Sequence, residues 1–120
     1  MRQFKFRAWH KRNKKYIVPE RLGLYEDGSL DFYIYESGGY SLECFVLEQY
    51  TGLKDKNGKE IYEGDIVKCW DEEDGEVYFD DVLLQYRVKF TDGDDEDLSS
   101  CEPEVIGNVH ENPELLGGKE

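Results

Sequence analysis

Closely spaced turn signals constrain the fold of this chain more than any other feature of its sequence. Asn57-Gly58 is a typical tight-turn pair that accepts the positive φ angles of a type I′ turn, and residues 63–65 mark a second reversal soon after it. Residues 66–70 then have the composition of a strand that leaves this reversal. Further along, Leu84, Tyr86, Val88 and Phe90 alternate with polar residues. This alternation is typical of a half-buried strand.

Two more hairpins are predicted before residue 40. Residues 3–9 alternate apolar with basic side chains, and residues 14–18 form a return strand after a polar turn. A second hairpin has Asp27-Gly28 at its tip, and residues 37–39 form a flexible joint. Residues 41–50 fit either a short helix or a strand, and we favour the strand because Cys44 to Leu47 is an apolar run.

The strand and turn pattern predicts a mainly β fold with little helix. We expect a small SH3-like antiparallel barrel over residues 41–116, preceded by an N-terminal β-hairpin region over residues 1–40 and followed by a flexible tail at 117–120. The comparison with SH3 barrels rests on residues 64–67, which open a strand with four or five strands to follow, and it implies nothing about function. The C-terminal half adds an acidic turn (71–75), an acidic loop (91–97), a last strand (105–109) and a short helical turn (111–116).

Charge is distributed very unevenly along the chain. Residues 1–21 hold eight basic side chains and one acidic one, a net charge of +7, and residues 2–15 form a basic arm. The other 99 residues hold seven basic and 27 acidic side chains, a net charge of −20. Because such a chain can pair with itself, we predict a homo-oligomer in which the N-terminal segment contacts acidic surface of a neighbour.

The cysteines and the lack of long apolar runs predict a cytoplasmic protein. Cys44, Cys69 and Cys101 are widely separated, and an odd, unpaired set indicates reduced thiols that act as small buried hydrophobic residues. The N-terminus is basic but has no apolar signal segment, and no run reaches the length of a membrane span. We therefore expect no membrane partner.

Catalytic and metal-binding patterns are missing from the sequence. The run from Asp92 to Asp97 gathers oxygen ligands, but an EF-hand needs Gly where Asp97 stands and Glu where Pro103 stands. His10, His110 and the cysteines lack zinc-ligand spacing, and neither histidine lies in a recognised nucleophile context. We predict no catalytic residue, no metal site and no cofactor.

The N-terminal segment supplies the candidate residues for binding a partner. It interleaves basic and aromatic side chains, as segments that bind nucleic acid do. The candidates are Arg7, Trp9, Lys11, Arg12, Lys14 and Lys15. A chain with a net charge of −13 repels phosphate, so we favour contact with acidic protein surface over nucleic acid.

The mid-chain block QYTGLKDKNGKEIYEGDIV, residues 49–67, resembles the signature of the YopX family, small proteins of phages and prophages. Residues 4–9 and 105–116 fit the same family, whose members have no established activity. We expect structural roles for the signature residues, with Asp55 and Asp65 accepting hydrogen bonds from turn backbone and two tyrosines packed at the barrel end. These residues are Tyr50, Thr51, Gly52, Asp55, Gly58, Tyr62, Gly64 and Asp65.

The sequence and the resemblance together predict a phage- or prophage-encoded accessory protein, and the resemblance implies that it acts in the cytoplasm of a bacterial host. We expect a non-catalytic protein-interaction or assembly module that binds host or phage protein. One alternative is an acidic DNA mimic that inhibits a host nucleic-acid enzyme through residues 71–74, 80–81 and 92–97. Two others stay open: nucleic-acid binding through residues 2–15, and an enzyme without a recognised motif.

Overall fold

A computed structural model describes residues 5–19, 21–24, 26–27, 30–33 and 44–117. These residues form antiparallel β-structure with two short 3-10 helices and no α-helix, which confirms the predicted mainly β fold. The chain divides into two compact units, Lys5–Gln49 and the part from Tyr50 onward. Across the described residues, no helix has the length and apolar character needed to cross a bilayer.

The N-terminal unit contains two hairpins and the start of a long strand. Strands β1 (Phe6–His10) and β2 (Lys15–Ile17) form the first hairpin, and β3 (Arg21–Leu24) and β4 (Leu30–Tyr33) form the second. Strand β5 (Phe45–Lys54) pairs with β1 through its first residues, so the strand interpretation of residues 41–50 is confirmed from residue 45 onward, while residues 41–43 lie outside the described residues. Ala8 and Phe45 form a small core under this pairing. The predicted joint at 37–39 and most of the tail lie outside the described residues.

The C-terminal unit is built on a five-stranded antiparallel sheet. After β6 (Glu60–Tyr62), which pairs with the second half of β5, come β7 (Asp65–Cys69), β8 (Glu73–Asp80), β9 (Gln85–Phe90), β10 (Asp95–Asp97) and β11 (Glu104–Asn108). The spatial order is β10-β9-β8-β7-β11, and the sheet curls into a half-barrel, as in small β barrels. The SH3-like assignment stays a prediction. The two 3-10 helices, Leu98–Ser100 and Pro113–Leu116, precede and follow β11, and the second confirms the predicted C-terminal turn.

The core of this unit comes from alternate positions of its central strands. Val77 of β8 is buried, and Val88 and Phe90 are buried as the alternation in β9 predicted. Each fully buried aliphatic side chain contributes about 1.5–3 kcal/mol of stability. The complete cluster is Ile61, Val67, Cys69, Val77, Val88, Phe90, Leu98 and Cys101.

Two turns differ from those predicted. The turn after β7 spans Trp70 to Glu72, and Trp70 and Asp71 both have positive φ, so the predicted turn at 71–75 is wrong. Gly75 lies inside β8, and glycine is required there because a Cβ would come within 2.5 Å of Val88 Cγ1 and 2.7 Å of Lys89 O. In the Asn57-Gly58 turn Gly58 has positive φ but Asn57 does not, so that turn is not the expected type I′ turn.

Two further segments, one acidic and one apolar, also differ from the predicted structure. The predicted acidic loop at 91–97 ends at Asp94, because Asp95–Asp97 pair with β9 as strand β10. Leu84 was predicted to begin the half-buried strand β9. It instead belongs to the preceding loop, with a φ of 57° and its side chain exposed.

Two cysteines form a disulfide, so the prediction of three reduced thiols is wrong for this pair. Cys69 and Cys101 are both fully buried and bonded to each other, with Cα atoms 5.0 Å apart. The physical reason is the sheet order: β7 and β11 are neighbours, and Trp70 N–H donates to Cys101 O at the same edge. Cys44 is free and half-buried.

Candidate functional site: the basic turn and the central motif

The basic turn, Lys11–Lys15, closes the β1–β2 hairpin and carries the exposed part of the predicted binding site. All five of its side chains are exposed. The backbone of the turn is fixed by His10, which is fully buried. Its Nδ1 accepts hydrogen bonds from the Arg12 and Asn13 N–H groups, each at 3.2 Å. Lys14 N–H also donates to His10 O at 2.8 Å. Four cationic side chains therefore extend from a fixed backbone.

Arg7 and Trp9 do not join this exposed group. Trp9 is buried and packs edge-on against Tyr16, with ring centroids 4.9 Å apart. Arg7 Nε donates to Glu48 Oε1 at 2.8 Å, and its guanidinium lies 4.0 Å from the centre of the Tyr16 ring. The Tyr16 hydroxyl donates to the same Glu48 oxygen at 3.0 Å. The charge of Arg7 is thus balanced inside the unit, and only the basic turn remains exposed.

Asp55 organises the central motif through backbone contacts. Its Oδ1 accepts from the Asn57 and Lys59 N–H groups at 2.8 and 2.9 Å, the contacts expected inside the turn. Its Oδ2 accepts from Val105 N–H at 2.9 Å, a contact between residues fifty positions apart that the sequence did not reveal. Burial raises the pKa of this carboxyl, but the three N–H donors and Lys59 outweigh burial and hold the pKa below its usual value. Asp55 therefore ties the turn to β11.

Asp65 and Gly64 fix the second reversal in a similar way. Asp65 is buried, and its Oδ2 accepts from Tyr62 N–H at 2.8 Å. Gly64 has a φ of 85°, which a residue with a side chain rarely adopts, and its carbonyl accepts from Val109 N–H. Both contacts lie inside the C-terminal unit, so neither the Asp65 carboxylate nor the Gly64 carbonyl is directed at solvent.

The remaining signature residues pack along β5 and β6. Tyr50 pairs with Tyr62, with ring centroids 5.5 Å apart. The Thr51 hydroxyl donates to Ile61 O at 2.8 Å, and Gly52 takes a φ of 88° where the register of β5 shifts. The signature residues thus form hydrogen bonds to backbone groups or pack their rings against each other.

Many carboxylates in the acidic runs are engaged within the chain. Asp71 accepts from Lys56 Nζ at 2.6 Å, and this contact lowers the pKa of Asp71. Asp95 accepts from Arg87 and from the Tyr78 hydroxyl, which together lower the pKa of Asp95. In the described part of the chain, no three His, Cys, Asp or Glu side chains form a group able to hold a metal ion.

One exposed feature was missed at the sequence level. Val82, Leu83 and Leu84 lie in the loop between β8 and β9, and all three side chains are exposed. The signal was present in the sequence, since three consecutive aliphatic residues directly follow Asp80-Asp81. Leu84 was instead assigned to the half-buried strand that follows.

The chain belongs to the YopX family, because a sequence model of that family, described as YopX protein, matches residues 5–117. The crystal structure of protein EF1440 from Enterococcus faecalis is similar over 97% of this chain and 99% of that chain, with a TM-score of 0.64 and 28% sequence identity. No curated protein sequence matches at a significant level. The family resemblance is confirmed, and neither description names an activity.

Proposed function

We propose that this chain is a non-catalytic accessory protein of phage or prophage origin that acts by binding protein, including further copies of itself. The basic turn is the contact site, and its natural ligand is acidic protein surface. The observation that supports this is the exposure of Lys11, Arg12, Lys14 and Lys15 on a loop whose backbone is held by a buried residue.

Charge favours a second copy as one such ligand. The four side chains carry +4 of a net charge of −13, so the rest of the chain carries −17. The attraction between the basic turn and acidic surface orients two copies at short range, against the overall repulsion between two chains that each carry −13, and high salt screens both effects. Each exposed ion pair adds only about 0.2–1 kcal/mol, so the cations alone give a weak, salt-sensitive contact.

The two nucleic-acid hypotheses have less support from the geometry. A DNA mimic needs carboxylates that are open to a partner, whereas Asp71, Asp74 and Asp95 each accept from a cation of the same chain. Direct binding of nucleic acid through the basic turn must overcome repulsion between phosphate and a remainder that carries −17.

Sedimentation velocity over a wide concentration range, at low and moderate salt, tests the proposal. The variant Lys11→Glu/Lys14→Glu is compared with a matched control, Lys54→Glu/Lys89→Glu, which makes the same charge change at exposed lysines elsewhere. We expect the first variant to weaken self-association by about 10- to 100-fold, and the control to change it by much less.

Two results contradict the proposal. One is a wild-type chain that stays monomeric at every concentration and both salt levels while binding no acidic protein. The other is a salt-sensitive gel shift with DNA that the Lys11→Glu/Lys14→Glu variant abolishes, which would identify the basic turn as a nucleic-acid contact.

A further inference from the structure

The apolar loop, Asp81–Leu84, joins β8 to β9 and exposes three aliphatic side chains to water. Val82 is 83% exposed, Leu83 55% and Leu84 74%. Phe79, at the base of the loop, is also exposed and packs edge-on against Tyr86. Scattered exposed apolar residues are ordinary, but a contiguous group on one loop marks a contact surface.

The apolar loop and the basic turn share one backbone frame. Each places four residues between two paired strand residues: His10 pairs with Lys15, and Asp80 pairs with Gln85. In each, the side chain before the loop accepts from the N–H groups two and three positions later. Asp80 Oδ1 accepts from Val82 and Leu83 N–H at 2.9 and 3.0 Å, as His10 Nδ1 does from Arg12 and Asn13.

The fourth loop residue is left-handed in both cases. Lys14 has a φ of 58° and Leu84 a φ of 57°. Gly or Asn suits this conformation, whereas a leucine is sterically disfavoured in it. The hairpin therefore does not require Leu84, and it does not require aliphatic residues at 82 and 83, since a polar sequence closes the same frame at the basic turn.

We infer that the apolar loop of one copy docks on the basic turn of a second copy. The inference rests on the proposed self-association and names the surface that the basic turn meets. Lys and Arg side chains have long aliphatic stems that cover apolar surface while their charged ends remain hydrated. Val82, Leu83 and Leu84 pack among these stems, and the exposed Asp81 carboxylate meets a cation at the edge.

Charge selects this pairing over contact between two apolar loops. Two such loops would bring together two copies of the Asp81 carboxylate, whereas the repulsion between two chains that each carry −13 is common to any pairing. Pairing a loop with a basic turn joins opposite charges, and the contact is either made twice in a two-fold dimer or passed from copy to copy. A loop–turn contact is smaller than the about 800 Å² per partner of a standard interface, so each single contact is weak.

The loop variant Val82→Ser/Leu83→Ser/Leu84→Asn tests the inference. It keeps Asp81 and the Asp80 cap, and it places Asn at the left-handed position. We expect it to raise the melting temperature by a few degrees, roughly 3–6 °C, and to weaken self-association by about 30-fold or more. Leu53→Ser, at an exposed leucine elsewhere, is the matched control and leaves association unchanged.

A mixing experiment identifies what the loop contacts. The loop variant and Lys11→Glu/Lys14→Glu each lack one surface but retain the other. Mixed in equal amounts, they keep one intact contact, formed by the loop of the second variant and the basic turn of the first. We therefore expect the mixture to form a one-to-one complex at concentrations where each variant alone is monomeric.

Each outcome bears on a different claim. A loop variant that associates like the wild type overturns the inference but leaves the proposed function standing if Lys11→Glu/Lys14→Glu still dissociates. A mixture that stays monomeric also overturns the inference, because an intact apolar loop and an intact basic turn on different copies then fail to bind each other. A monomeric wild type overturns both the inference and self-association.

Discussion

Replacing Asp55 should destabilise the C-terminal unit more than any other single change in the central motif. The carboxylate is 7% exposed and accepts three backbone N–H groups at 2.8–2.9 Å. Hydrogen bonds to a charged acceptor contribute about 1.5–3 kcal/mol each. Asn57 and Lys59 are exposed, so their N–H groups recover water when the carboxylate is lost, while Val105 N–H is half-buried.

Two substitutions at this position separate these contributions. Asp55→Asn keeps one oxygen for the turn but turns an amide NH₂ toward Val105 N–H, and we expect a loss of about 2 kcal/mol. Asp55→Ala removes all three acceptor contacts, and we expect a loss of about 3–4 kcal/mol. With a urea m-value of about 1–3 kcal/mol/M, the Asn variant should lower the unfolding midpoint by roughly 1–2 M.

The pH dependence of stability has a definite sign. The pKa of Asp55 is lower in the folded chain than its ordinary value of 3.8, because backbone N–H donors outweigh burial. A carboxyl with a depressed folded pKa stabilises the fold above its unfolded pKa, and this stabilisation is lost as the pH falls through the folded value. Below about pH 4, the wild type should therefore lose stability more steeply than Asp55→Asn.

Urea unfolding followed by tryptophan fluorescence and circular dichroism measures both effects. Asp92→Asn is the control, because Asp92 is exposed and its Oδ1 accepts from Asp94 N–H in its own turn. The reasoning is refuted if Asp55→Asn unfolds within about 0.5 kcal/mol of the wild type, a difference typical of neutral surface changes. Equal acid sensitivity of the two proteins would refute the pH argument alone.

Three further predictions use the same urea assay. Glu48→Gln removes the charge that balances the largely buried Arg7, and should lower the free energy of unfolding by about 1–3 kcal/mol; no loss would contradict this pairing. Gly75→Ala forces a Cβ to within 2.5 Å of the Val88 side chain, and this overlap should lower the free energy of unfolding by about 1–3 kcal/mol. Gly93→Ala, at an exposed turn, is the comparison: it strains the backbone but creates no overlap. Reducing the Cys69–Cys101 bond, which links residues 32 apart, should lower stability by about 3–4 kcal/mol; a change below about 1 kcal/mol would exclude a stabilising bridge.

Local chemistry made much of the fold predictable. The reversals at Gly58 and Gly64 were found because glycine is the residue that takes positive φ easily, and both glycines do so at 85°. The buried face of β9 was found because Val88 and Phe90 repeat with the period of a strand. In each case the information lies within a few residues of the feature.

Features that depend on distant residues were not predictable in this way. Cys69 and Cys101 meet because β7 and β11 are neighbours, and Arg7 reaches Glu48 because β1 pairs with β5. The excess positive charge of the N-terminal segment was visible in the sequence, but the internal balancing of Arg7 was not. Gly75 was assigned to a turn because glycine favours turns, whereas it is required by close approach inside a sheet.

The two hairpin loops show where sequence patterns mislead and where they carry other information. Non-glycine residues with positive φ, such as Lys14 and Leu84, are not typical turn residues. The positions of their loops were therefore predicted from neighbouring residues alone. Once the shared frame is known, the fold no longer explains why one loop is cationic and the other aliphatic. Because the same backbone geometry forms with either sequence, the side chains of each loop can be determined by what the loop contacts. Leu84 is also sterically disfavoured in its left-handed conformation, so the hairpin gives no reason for an apolar side chain there, which agrees with the inferred contact between the apolar loop and the basic turn.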